Sequence, residues 1–245
     1  MHRIPTLLMT LALPLIAAAA PPSREALLAI ASKSACEQPA PGHVIFAGDS
    51  TDLGDCLAQV KDGEIRELRI TSSGGDALPT LRLAEKVRGH LGLLVVDGLC
   101  AASCANYLLP AAQRVRVNEH SYVLLHGSMN PGDFEAQKAR IETELREKSP
   151  GTSDDDITRL LEGARREVDA GAPLQKAFAQ KTLACSDWLA PDSTKAGHSA
   201  DPSWFLVVTP EMARRCLKTA RVEAFWAPEP EDQFAPELGF HRARR

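Results

Sequence analysis

The sequence predicts a layered α/β domain. Between His43 and Leu125 candidate strands and helices alternate, opening strand–helix–strand–helix–strand, the order such folds show. Leu91 to Val96 is a continuous apolar run, as expected of a strand buried on both faces. The chain has 245 residues, enough for one well-filled core.

The elements read as follows. Residues 1–19 are expected to be a signal peptide: His2 and Arg3 precede an apolar stretch from Ile4 to Ile16, and Ala17 to Ala20 offer small residues for cleavage after Ala19. The stretch is short for a spanning helix, which needs about 20 apolar residues, and no later segment is long and apolar enough to cross a bilayer, so no integral membrane segment is expected after cleavage. Residues 20–42 read as an N-terminal segment, with a helix from Ser23 to Ala35 and a Pro-rich link, Gln38-Pro39-Ala40-Pro41-Gly42. The main domain is set at 43–226. His43 to Phe46 is a strand, and Leu53, Cys56, Leu57 and Val60 recur at helical spacing within a helix from Asp52 to Lys61. Ile65 to Thr71 is a strand. Leu78, Leu81, Ala84 and Val87 mark the next helix, with Pro79 tolerated in its first turn. Ser103 to Ala112 is a buried helix, and Arg114–Val117 and Ser121–Leu125 are strands about a turn at Asn118-Glu119.

Beyond His126 the character changes. Asp133 to Lys148 is a charged amphipathic helix, Ser153 caps a second that runs to Val168, and Ala172 to Gln180 reads as a third. Trp204 to Val208 is a strand, and Thr209-Pro210-Glu211 opens a helix carrying Cys216. Residues 227–245 are rich in Pro and charge and are expected to be largely disordered.

The net charge is −4, with no basic stripe interleaved with aromatics, which argues against a nucleic-acid partner. Six cysteines in a chain marked for export suggest disulfides in an oxidising compartment, periplasmic or extracellular. Several complete pairings are open. Short-range pairing gives Cys36–Cys56, Cys100–Cys104 and Cys185–Cys216.

Three segments carry chemistry. Ser72-Ser73-Gly74-Gly75-Asp76 follows a strand and precedes a helix, so glycine N–H groups can be presented to an anion. Ser103 opens a helix after a buried strand, and the Cys104 N–H would face the same space. His126 closes the strand Tyr122-Val123-Leu124-Leu125 and can serve as a base. Singly, these are a turn, a cap and a structural histidine. Together they are an oxyanion site, a nucleophile and a general base.

In order and approximate spacing these segments resemble the active-site segments of the Clp-type serine peptidases, within the crotonase-like superfamily. Ser72-Ser73-Gly74-Gly75 stands where that family has Ser-Pro-Gly-Gly, Ala101-Ala102-Ser103 matches its nucleophile helix start, and Val123-Leu124-Leu125-His126 its histidine strand. The resemblance spans His43 to Gly127 and, more loosely, Trp204 to Ala220, and looks closest to exported single-domain relatives. Ser73 departs from the family's proline, and Ser103 lies one place later between its cysteines than in the common form of those relatives.

The resemblance implies a ClpP/crotonase-like fold of repeated strand-strand-helix units. It also implies peptide-bond hydrolysis through an acyl-enzyme on Ser103, with His126 as base and Gly74, Gly75 and Cys104 as oxyanion donors. No cofactor is implied, and the expected partner is a peptide or protein substrate. Asp201, before Trp204-Phe205-Leu206 and Thr209-Pro210-Glu211, is the candidate orienting acid, with Asp187 and Asp192 as rivals. The alternatives are a non-catalytic binding module of the same fold, a Ser–Lys dyad using Lys138, and an acyl-CoA enzyme, which export disfavours. A zinc site at Cys100, Cys104, His120 and His126 is the remote option. The charged region after His126 suggests a monomer or small homo-oligomer rather than a ring.

Overall fold

The computed structural model describes residues 23–60, 64–190, 205–227 and 240–242. The proposed signal peptide, Asp192 and Asp201 lie outside them. Among the described residues nine strands form one mixed, mostly parallel sheet. The strands are β1 (Ala35–Ala40), β2 (His43–Ala47), β3 (Ile65–Ser72), β4 (Leu91–Ala101), β5 (Arg114–Val117), β6 (Tyr122–Leu125), β7 (Phe205–Val207), β8 (Arg221–Phe225) and β9 (Phe240–Arg242). The helices are α1 (Arg24–Ala31), α2 (Leu53–Ala58), α3 (Ala77–Val87), α4 (Leu109–Ala111), α5 (Pro131–Lys148), α6 (Asp154–Thr182) and α7 (Pro210–Cys216). A π-helical turn, Cys104–Leu108, runs directly into α4.

The order along the sheet is β1-β2-β3-β4-β6-β7-β9, with β5 and β8 branching from β4. The branch point explains why β4 is longer than its apolar run. Leu93 to Val96 pair with β5, whereas Leu99 to Ala101 pair with β6. The strand changes partner at Asp97-Gly98, where Gly98 takes φ +106° and donates its N–H to Ser121 Oγ at 2.8 Å. Without a Cβ, glycine adopts that turn readily.

The two faces of the sheet are covered unequally. The main core packs Val44, Leu68, Ile70, Leu94 and Val96 with Leu81 of α3, Leu108 and Leu109 around the π-turn, and Phe178 of α6. Leu27 and Ala31 of α1 cover Leu99, Tyr122, Leu124 and Val207 in a smaller cluster. All three disulfides are the short-range pairs: Cys36–Cys56, Cys100–Cys104 and Cys185–Cys216.

Two expectations are corrected, and two strands were not read from the sequence. The Pro-rich link is not a link: Ala35–Ala40 pairs antiparallel with β2 at the sheet edge, with a register shift between Glu37 and Ala40. Pro39 is admissible there because an edge strand can spare an N–H. The second and third helices after His126 are one continuous helix, α6, with Pro173 inside it. Burial of Ile157 and Leu161 before the proline and Gln175, Phe178 and Thr182 after it holds both halves to the domain. Arg221–Phe225, not read as a strand, pairs parallel with β5. Phe240–Arg242, within the segment expected to be largely disordered, adds parallel to β7.

Candidate active site

The three segments converge because each follows a strand of the same parallel region. β3, β4 and β6 lie side by side, with Ser72 paired to Cys100 and Ala101 to Leu124. Gly74 and Gly75 therefore leave the sheet beside Ser103, and His126 leaves it beside them. The carboxyl ends of parallel strands are where α/β folds place their ligands.

The turn into Ser103 is sharp. Ala102 has φ +47°, a left-handed conformation that costs a non-glycine residue about 1–2 kcal/mol. Its N–H donates to Leu124 O at 2.9 Å and its carbonyl accepts from Asn106 N–H at 2.8 Å, so the strain is held from both sides. The Cys100–Cys104 disulfide, with Cα atoms 5.3 Å apart, straps the end of β4 to the turn that follows. Trp188, fully buried, donates its indole N–H to Ala105 O at 3.1 Å and braces the same turn from behind. Strained strand-to-helix turns recur where a nucleophile is presented, and π-helical turns often mark functional sites.

Gly74 fits closely against this turn. It has φ +103°, and a Cβ there would lie 2.8 Å from Ala102 Cβ and 2.9 Å from Ala101 O. Its N–H is already used, donating to Ser72 Oγ at 3.2 Å. The half-buried Gly75 N–H has no partner among the described residues, and the Cys104 N–H stands at a helix start, where N–H groups lack intrahelical acceptors. Of the three expected oxyanion donors, Gly75 and Cys104 therefore have N–H groups in reserve, whereas the Gly74 N–H is taken and Gly74 packs closely on the serine turn. The Asp49–Thr51 loop lies against Gly75. Thr51 N–H donates to Asp49 Oδ1 and Asp76 N–H to Thr51 Oγ1, both at 2.8 Å.

Ser103 is 5% exposed, and its hydroxyl donates to Gly75 O at 2.7 Å rather than to His126. His126 is exposed, and its ring lies 4.9 Å from that of Phe205. The antiparallel pairing of Leu125 with Leu206 brings Phe205, the first residue of β7, opposite His126. Asp187, the described rival acid, faces Arg215 at 3.8 Å on the exposed surface. Lys138 is exposed in a groove between α5 and α6 lined by Phe134, Glu135, Leu161 and Glu162, and is not brought to Ser103. Cys100 and Cys104 are disulfide-bonded and have no thiolate to offer a metal.

Two buried amides around His126 were not read from the sequence. Asn106, 3% exposed, donates from Nδ2 to Gly127 O at 2.6 Å. Gln175 of α6 accepts from Met129 N–H at 3.1 Å and from the Tyr107 hydroxyl at 2.6 Å. Its Nε2 faces Ser128 Oγ at 3.2 Å and Met129 O at 3.3 Å. Burial pushes the Tyr107 phenol well above its ordinary range, so it stays protonated and donates. The available signal was Asn106 itself, a polar residue inside the apolar run from Ala105 to Ala112. No known family model and no curated protein sequence matches this chain.

Proposed function

We propose that this chain is an exported serine hydrolase of Clp-like type that cleaves peptide bonds through Ser103. The observation that carries the reading is the Ala102–Ser103 turn, set at the end of β4 with the Gly74–Gly75 loop packed on it and His126 ending the adjacent strand. The three disulfides support export, and no helix among the described residues is long and apolar enough to cross a membrane.

The chemistry follows from the groups present. Ser103 Oγ rotates about its Cα–Cβ bond, off the Gly75 carbonyl and towards His126. The imidazole takes the hydroxyl proton as Oγ bonds to the substrate carbonyl carbon. The negative charge on the former carbonyl oxygen is met by the Gly75 and Cys104 N–H groups. Collapse breaks the C–N bond, and the imidazolium returns its proton to the leaving amine. Water then repeats the sequence on the acyl ester, with His126 again the base, releasing the acid and restoring Ser103. Asp201 is the proposed orienting acid; in sequence it stands four residues before Phe205, whose ring lies against His126.

A second reading, a binding module of the same architecture, is favoured by one observation: Ser103 is buried and its hydroxyl is engaged by Gly75 O. A fluorophosphonate probe separates the two. A hydrolase is labelled in the wild type and not in Ser103→Ala. A folded wild type that is not labelled supports the binding module.

A further inference from the structure

We propose that Asn106 and Gln175 are positioning residues that fix the backbone after His126, and through it the place of the imidazole relative to Ser103. The inference rests on the hydrolase reading and deepens it.

The segment 126–130 belongs to no helix or strand, yet three consecutive residues of it are held by buried side-chain amides. Asn106 holds Gly127 O, and Gln175 holds both the N–H and the carbonyl of Met129 while its Nε2 also meets Ser128 Oγ. Gly127 itself has φ +56°, so the turn after His126 is sharp. The two amides come from different places. Asn106 lies one helical turn after Ser103, so one short helix carries the nucleophile and the hydrogen bond that seats the residue following the base. Gln175 lies on α6, and Tyr107, the neighbour of Asn106, donates to the same Gln175 oxygen that Met129 N–H uses. The nucleophile helix, the histidine loop and α6 thus share one hydrogen-bonded unit.

Packing alone does not account for this arrangement. Asn106 Oδ1 is buried with no hydrogen-bond partner among the described residues, a state that costs stability. An apolar side chain of similar size would avoid that cost but could not hold Gly127 O. The amide is therefore explained by its Nδ2 bond to the loop beside the base. A displacement of about 1 Å in a reacting group can cost about 100-fold in rate, so a hydrogen bond that fixes the loop has a kinetic effect larger than its share of stability.

The test uses Asn106→Leu and Gln175→Leu in the full disulfide-bonded protein, with folding checked by circular dichroism and thiol count. Saturation kinetics of fluorophosphonate labelling separate kinact from KI. A positioning role lowers kinact about 10–100-fold and leaves KI within about twofold, whereas a purely structural role leaves kinact of the folded fraction unchanged. NMR of the His126 ring supplies a readout that needs no chemistry: one sharp set of signals in the wild type, and broadened or doubled signals in both variants. Should Asn106→Leu fail to fold, Gln175→Leu decides. Wild-type kinact in a folded variant, or an unaltered His126 spectrum, overturns the proposal. A wild type that resists the probe overturns the hydrolase reading instead, and the positioning role then stands or falls on the His126 spectra.

Discussion

Replacing Gly74 by alanine tests the close approach of the glycine loop to the serine turn. Two costs arise. The φ of +103° disfavours any side chain, by about 1–2 kcal/mol. The new Cβ would also sit 2.8 Å from Ala102 Cβ and 2.9 Å from Ala101 O, well inside the optimum of about 3.5–4.0 Å for carbon contacts. Both neighbours belong to a turn held by hydrogen bonds and a disulfide, so relief needs backbone movement, and overpacking of that kind costs about 1–3 kcal/mol. The sum is about 2–5 kcal/mol. Gly89→Ala is the control: its φ is +87°, and a Cβ there would meet nothing within 4 Å. It should lose only the conformational part, about 1–2 kcal/mol. Urea unfolding of both variants measures the difference, and probe labelling should fall in Gly74→Ala alone. If Gly74→Ala is no less stable than Gly89→Ala and is labelled as fast as wild type, the loop does not bear on the serine turn.

Other expectations concern the base, the disulfides and the ion pairs of Glu85. His126→Ala should lower any hydrolysis about 100-fold or more, the usual scale for a general base, while Lys138→Ala should leave the rate near wild type; the reverse ranking in initial-rate assays would establish the Ser–Lys dyad. Sequence separations of 4, 20 and 31 residues lead the loop-closure estimate to rank the disulfides, with Cys100–Cys104 contributing about 2 kcal/mol and Cys185–Cys216 close to 4. Denaturant unfolding of the paired Cys→Ala variants checks that order, and thiol counting on unreduced, denatured protein should find none free among the six. For Glu85, burial would raise the carboxyl, but hydrogen bonds from Lys181 and Arg88 outweigh it and hold the group below its ordinary range. Its contribution is therefore present above the usual carboxylate pKa and is lost as pH falls through the depressed value. Glu85→Gln should cost under about 1 kcal/mol at neutral pH, as expected for a partly exposed pair, and nothing at strongly acid pH; a penalty that grows on acidification in thermal melts would contradict the sign.

The strands beside the candidate site were largely legible. The segments Ile65–Thr71, Leu91–Val96 and Ser121–Leu125 mark β3, the first part of β4 and β6, while the extension of β4 to Ala101 came only with its change of partner. The disulfide pairs were legible because the partners lie close in sequence. What escaped was decided by tertiary context. Pro39 argued against a strand until the edge position of β1 removed the need for its N–H. The break read between Val168 and Ala172 is absent, because burial on both sides of Pro173 holds α6 to the domain as one helix. β8 is a short strand of mixed exposure, legible only beside β5. The left-handed Ala102 carries no signal in its own identity, because the turn is imposed by the strand pairing before it and the helix after it. Asn106 and Gln175 were invisible as a pair, lying far apart in sequence and meeting only through residues 127–129.

The most direct measurement is labelling of the purified, oxidised protein by a fluorophosphonate, followed by mass spectrometry of the modified peptide. The account predicts one adduct per chain, on Ser103, absent from Ser103→Ala and formed far more slowly in His126→Ala. A folded wild type that takes no label, or an adduct that persists in Ser103→Ala, would contradict it.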